Sequence, residues 1–381
     1  MRSLRFHSRQ NPQVSLNLNE QGEISDLHPD IYPMLKPGLL VIPLNSDEFF
    51  IGEATEGIYI PSDPYLAIVR GCDGLRTSEA IAGLCKIPRG IVNHFLEELK
   101  SHNYIEVRRN PPLDPGLDEL ARHYSERIAP EHQLYTWRTS TFDGGESEVA
   151  SRKYFSILIL GQNRLARALL ANLQASGFSQ TRILSPLSQS GFRIEARDIC
   201  GIVTRPIDIG RKQVEFHKGI ALESQLTQFV SESNNAVNLV ISTTAMTTEY
   251  VQRWISEGIA HLQISRPTTH TLEIGPLVLP GSRACLNCVQ LHRRDFLPPF
   301  ISMAAPLNSA YGESAELTSA STSFTAGVLT PYICEFAAQR TSSLMSHSLT
   351  IDLLEPLHGI RQHHWNIHPE CGCGSSNSLI Q

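Results

Sequence analysis

Short apolar runs separated by polar turns come first along the chain. Leu39-Leu40-Val41-Ile42 and Phe49-Phe50-Ile51 flank Asn45-Ser46-Asp47, which is a hairpin signal, and Ile58-Tyr59-Ile60 follows Gly57 and stops at Pro61. Helical spacing then takes over. Asp63-Pro64 reads as a cap with proline in the first turn, and Leu66, Ile68 and Val69 run on to Gly71. Thr77 is placed to cap a second helix with an apolar stripe of Ile81 and Leu84. Pro88 opens a third, where Ile91, Val92, Phe95, Leu96 and Leu99 recur at three- and four-residue steps. Residues 104–107 read as one more strand. Three strands followed by three short helices predict a winged-helix-like module over 36–110, behind an irregular, proline-bearing lead-in over 1–35.

Prolines and a Gly144-Gly145 pair mark 111–150 as a linker region with one short helix near 117–127. The rhythm then changes to long apolar strands. Residues 154–160 form a continuous apolar run of the kind buried in a parallel sheet; Gly161 ends it, and Leu165, Ala168, Leu169, Leu170 and Leu173 predict a helix stopping at Gly177. A second strand at 181–187 completes a βαβ unit. Further strands are expected at 236–243, 260–265 and 273–279, helices at 247–257 and 313–340, and a closing hairpin over 349–354 and 360–367. The fold class is therefore α/β, with a Rossmann-like doubly wound sheet over 151–381.

Composition narrows the function. In 381 residues, 41% are apolar and 18% charged, as in ordinary soluble globular domains. A net charge of −6 leaves no basic footprint, so no nucleic-acid partner is expected. No apolar run reaches the roughly 20 residues of a membrane helix, and no apolar segment near the N-terminus resembles a signal peptide. The expectation is a protein with no membrane association.

Chemistry concentrates in Gly275–Asp295, GPLVLPGSRACLNCVQLHRRD, which sets Cys285 and Cys288 two residues apart after a Pro280-Gly281 turn. A second close pair, Cys371 and Cys373, stands in HPECGCG. Two tight thiol pairs are what a tetrahedral zinc site needs, and four thiols leave no open position, so the Zn2+ would be structural. His292, His364 and His368 stand near enough in sequence to replace one thiol. Zinc-type pairs instead of a disulfide framework point to a reducing cytoplasm.

Two further stretches bear on binding. A dinucleotide turn needs glycines where the backbone approaches phosphate and an acid about 20 residues on. Here the turn reads Gly161-Gln162-Asn163-Arg164-Leu165-Ala166, with Asn163 in the place of the second glycine, and the second strand ends at Ser185-Pro186 without an acid. Gly161, Asn163 and Ala166 thus mark a degenerate nucleotide turn; no ATP use and no catalytic residue are expected. In the N-terminal module the third helix carries Glu97 and Glu98, which suits DNA poorly. Strand addition of a peptide is the better use, with Gly57, Ile58, Tyr59 and Ile60 as the edge and Ile91, Phe95 and Leu99 as the helix wall. A purely structural module is the third reading.

The segments LLVIPL, FFIG, YLAIVRGCDGLRTSEAIAGL and IVNHFLEELKSHNYIE resemble the PqqD-like leader-recognition element of peptide-modification pathways, with the turn at Gly71–Thr77. The later order of apolar strands, degenerate glycine turn, GPLVLPG-x-x-x-C-x-x-C-x-x-x-H ending at His292, and C-terminal C-x-C is similar to the ThiF-like (MoeB-type) adenylating fold. More narrowly it resembles the ThiF-like (Ocin-ThiF type) leader-binding proteins of thiazole/oxazole-modified microcin clusters. The resemblance implies a zinc held by Cys285, Cys288, Cys371 and Cys373, a precursor leader peptide and a YcaO-type cyclodehydratase as partners, a homodimer, and no catalysis. Active adenylating members keep an aspartate where this chain reads Thr243-Thr244-Ala245-Met246. ATP-dependent adenylation of a peptide or carrier-protein C-terminus is the competing function.

Overall fold

The computed structural model describes residues 31–109, 119–138, 145–184, 193–200, 203–217, 237–244, 248–265, 267, 270–296, 316–355 and 359–373. The chain divides into two units, Met1–Pro112 and Leu113–Gln381.

In the first unit, strand β1 (Tyr32–Leu35) pairs antiparallel with β5 (Ile105–Arg108). Residues 32–35, expected as irregular lead-in, are thus part of the module, and on the side away from β5 the Pro33 carbonyl accepts the Gly74 N–H at 2.9 Å. Strands β2 (Leu40–Pro43), β3 (Glu48–Gly52) and β4 (Gly57–Pro61) form a three-stranded antiparallel sheet in the order β2-β3-β4. Asn45 builds the first turn, its Oδ1 accepting the N–H groups of Asp47 and Glu48 at 2.8 and 2.9 Å. Phe49, Ile51 and Ile60 face the core, and Ile42, Phe50 and Tyr59 lie in register on the opposite face.

Helices α1 (Tyr65–Gly71), α2 (Ser78–Cys85) and α3 (Arg89–Ser101) cover that core. Thr77 caps α2 as its sequence predicts, accepting the Ala80 N–H at 3.1 Å. Pro64, not Asp63, holds the cap position of α1, without a side-chain cap bond. Leu84 is 65% exposed. The buried face of α2 runs through Ser78, Ile81 and Ala82, and at 3.6 residues per turn Leu84 falls outside it. In the turn between α1 and α2, Asp73 Oδ1 accepts the N–H groups of Leu75 and Arg76, while Gly74 takes a positive φ of +78°.

The second unit is built on a seven-stranded sheet in the order β12-β11-β10-β9-β8-β6-β7. Its strands are β6 (Ile157–Leu160), β7 (Thr181–Leu184), β8 (Leu239–Ser242), β9 (Ala260–Ile264), β10 (Thr271–Val278), β11 (His347–Asp352) and β12 (Ile360–His364). Only β7, β6, β8 and β9 run parallel; from β9 onward each pair is antiparallel. The sheet is therefore mixed and not doubly wound throughout, because the connection from β9 to β10 is too short for a parallel crossover. Helices α6 (Arg164–Ala175) and α9 (Ser319–Gln339) share one core with the sheet, where Leu165, Leu169 and Leu173 meet Leu329, Ile333 and Phe336.

Residues read as a linker supply two helices of this unit, α4 (Glu119–Arg138) and α5 (Glu146–Ser151). They are tied in by a buried arginine: Arg152 Nη1 donates to Glu131 at 2.7 Å and to the Ser176 carbonyl at 2.8 Å. Helices α7 (Thr248–Ser256) and α8 (Leu286–Phe296) complete the described set. Among the described residues no helix is long and apolar enough to cross a membrane.

Candidate functional site

The two cysteine pairs meet. Cys285 stands just ahead of α8 and Cys288 in its first turn, while Cys371 and Cys373 arrive from the segment after β12. Sγ–Sγ distances are 3.8 Å for Cys285–Cys288, 3.6 Å for Cys285–Cys371 and 3.3 Å for Cys288–Cys373, and the four ligand atoms all lie within 4.8 Å of one another. Zn–S bonds of about 2.3 Å in a tetrahedron put neighbouring sulfurs about 3.8 Å apart, whereas a disulfide needs about 2.05 Å. The donor set and its spacing fit a structural zinc; these four thiolates would hold it and leave no position for substrate.

Burial pushes the Cys285 thiol up to about 11 and raises Cys373 as well. Cys371 moves down to about 7, because hydrogen bonds from the Cys373 backbone and Asn287 outweigh the effect of its burial. Asn287 Nδ2 donates to Cys371 Sγ at 3.3 Å. The three histidines named as substitutes are engaged elsewhere. His292 Nε2 bonds the Asn366 carbonyl at 3.0 Å, His368 Nε2 donates to Asp295 at 2.8 Å, and His364 Nδ1 faces His347 Nε2 at 3.1 Å. Among the described residues the metal-type cluster contains cysteines alone.

At the degenerate turn, each residue has a packing role. Gly161 has φ +143°, and a Cβ there would stand 2.0 Å from Thr243 Oγ1, so the close approach of β6 to the end of β8 requires glycine. Asn163 caps α6 by accepting the Ala166 N–H at 3.0 Å, and its Nδ2 donates to the Thr243 carbonyl at 2.9 Å. Ala166 is fully buried, its methyl packed in the sheet–helix core.

A cavity of about 210 Å³ opens beside this turn, lined by Asn163, Arg164, Asp198, Thr243, Thr244 and Glu316 among others. Arg164 donates to the carbonyls of Arg197 at 2.6 Å and Leu317 at 3.1 Å, and Asp198 pairs with the buried Arg167 at 3.1 Å. Arg164 and Asp198 are thus tied to the protein itself. Asp198 and Glu316 escape sequence reasoning because neither lies within reach of a recognisable motif. Ser185, Pro186, Ala245 and Met246 lie outside the described residues.

In the first unit, Gly57 faces Gly52 in register, and the Phe50 ring covers it at 2.4 Å from where a Cβ would stand. Tyr59 is 67% exposed, Ile58 partly buried and Ile60 only 7% exposed. Ile91 is partly buried, but Phe95 and Leu99 are 2% and 0% exposed and hold α3 to the core. They do not form a wall open to a ligand. The exposed apolar side chains instead include Leu40 and Ile42 on β2.

No family model matches the sequence, and no curated protein matches it either. Solved structures do. E. coli MccB crystallised with AMPCPP and MccA aligns with a TM-score of 0.61 at 12% identity, over 90% of this chain and 99% of that one. The microcin C7 biosynthetic enzyme MccB in complex with N-formylated MccA aligns equally well, with a TM-score of 0.61 at 12% identity and the same coverage. The heterocyclase TruD aligns at a TM-score of 0.55 and 12% identity, over 92% of this chain but 44% of its own length. This chain therefore shares its mixed α/β fold with MccB and with part of TruD.

Proposed function

We propose that this protein binds the leader of a ribosomally made peptide and presents the attached core to a cyclising enzyme of the YcaO type, without itself catalysing a reaction. The observation that carries the reading is the open three-stranded sheet of the first unit, in a chain that aligns over 90% of its length with MccB, a protein solved with the peptide MccA. Among the described residues β2 and β4 each pair only with β3, so both present unpaired backbone groups to an added strand. Ile42, Phe50 and Tyr59 form a row across the sheet, with the Phe50 and Tyr59 rings 5.6 Å apart. A leader strand on either edge continues that row. We assign it to β2, where Leu40 and Ile42 are 41% and 44% exposed. Holding leader and enzyme together raises the local concentration of the core peptide.

The second reading is ATP-dependent adenylation of a peptide C-terminus. It is favoured by the cavity beside Asn163 and by the likeness to MccB, which has been solved with ATP. Against it stand the Asn163 tether and an Arg164 bound to backbone carbonyls.

The test uses the full chain and fluorescently labelled short peptides encoded by neighbouring genes. Saturable binding that Ile42→Glu weakens at least tenfold, with no ATP–pyrophosphate exchange in the presence of the bound peptide, supports the scaffold. Exchange that depends on the peptide selects adenylation. Binding to none of the peptides ends both readings.

A further inference from the structure

We propose that His347 and His364 form a second metal site, separate from the four cysteines, that takes an imidazole-preferring divalent transition cation such as Zn2+. The two residues are register partners on β11 and β12, and His347 Nε2 lies 3.1 Å from His364 Nδ1. Two nitrogens at that spacing match adjacent ligands of one cation, whose Zn–N bonds are about 2.0–2.1 Å.

The remaining ring nitrogens decide what those two atoms can do. His347 Nδ1 lies 3.2 Å from the Met345 carbonyl, which only accepts, so Nδ1 carries the hydrogen and Nε2 is a bare lone pair. His364 Nε2 lies 3.1 Å from Asn366 Oδ1, so by the same rule Nε2 carries its hydrogen and Nδ1 is bare. The two rings then bring bare lone pairs within 3.1 Å of each other, and a cation seated to one side of that line, about 2.0–2.1 Å from each nitrogen, replaces their repulsion with two bonds. The hydrogen bonds on the far nitrogens are the outer partners that fix ring orientation in metal-binding histidines.

The pair sits on an exposed surface, unlike the buried thiols, and all five residues of β12 are exposed. The cation would be exchangeable, with water completing its coordination, and would pin the outermost strand to β11. Because β12 leads directly into the segment that delivers Cys371 and Cys373, this second ion orders the approach to the structural site without entering it.

Equilibrium dialysis of the full chain against micromolar Zn2+, followed by metal analysis, tests this. The wild type should hold one zinc more than His347→Gln or His364→Gln, while all three keep the tightly bound ion of the cysteines. Hydrogen exchange of residues 360–364 should slow on zinc addition in the wild type only. Asn366→Asp fixes the Nε2–H form of His364, because a carboxylate only accepts, and should bind the second zinc at least as tightly. A turned Asn366 amide would instead place the hydrogen of His364 between the rings; a second zinc lost in Asn366→Asp, absent from the wild type, or unchanged in both glutamine variants overturns the assignment.

Discussion

Asn163 joins α6 to the end of β8: Nδ2 donates to the Thr243 carbonyl at 2.9 Å while Oδ1 accepts the Ala166 N–H at 3.0 Å. One side chain thus supplies a helix cap and a cross-strand tether at the place where a nucleotide turn keeps glycine. Asn163→Ala removes both and should cost about 1–2 kcal/mol in urea unfolding. Asn163→Asp keeps the acceptor and should cost less. Asn163→Gly should lose the tether without gaining ATP–pyrophosphate exchange, since Arg164 still donates to the carbonyls of Arg197 and Leu317.

Gly161 should tolerate no side chain. Its φ of +143° already disfavours an L residue, and the added Cβ would overlap Thr243 Oγ1 at 2.0 Å. Gly161→Ala should destabilise the protein by more than about 2 kcal/mol. Thr243→Ala in the same chain should recover part of that loss, since the collision is with the hydroxyl. A double-mutant cycle that shows no coupling between the two positions would mean the strain is in the backbone alone.

Metal analysis of the purified chain should find one tightly held zinc. Cys285→Ser or Cys371→Ser should lose it and several kcal/mol of stability, because binding energy at a closed thiolate site is folding energy. Replacing Asn287 by Ala should do less: the zinc remains, with faster loss to a chelator, since only the 3.3 Å bond to Cys371 Sγ is removed.

The thiol pairs were legible because metal-ligand spacing is local: each pair sits on one bend, and four thiols demand a common centre. Asn163 was legible as an anomaly, but not as a tether, since Thr243 lies far along the chain. The same distance hides the pairing of Arg167 with Asp198 and the entry of Glu316 into the cavity. Period alone identified Ile91, Phe95 and Leu99 as one apolar set on α3, yet it cannot tell a core position from a rim position. Burial separates them: Phe95 packs on the Tyr65 ring at 4.7 Å and Leu99 is fully enclosed. The parallel sheet was over-extended for a related reason, because apolar runs reveal strands but not their direction; only the short β9–β10 connection settles that.

Acid should destabilise the second unit through His217. Its ring is partly buried, and burial first, then the Arg167 guanidinium, lowers its pKa from the usual 6.5 to about 4, with Asp198 opposing. The folded chain therefore keeps this imidazole neutral where the unfolded chain takes a proton. The stabilisation is complete above about pH 6.5 and is lost as pH falls through about 4. His261, fully buried with Nδ1 on the Ile259 carbonyl at 3.0 Å, is lowered in the same direction and adds to the slope. A shift of this size corresponds to roughly 3.4 kcal/mol at most. Thermal melts between pH 7.5 and 4.5 should show a steep fall below pH 6.5 in the wild type and a shallower one in His217→Gln. Parallel curves for the two proteins would show that His217 takes its proton equally well in the folded chain.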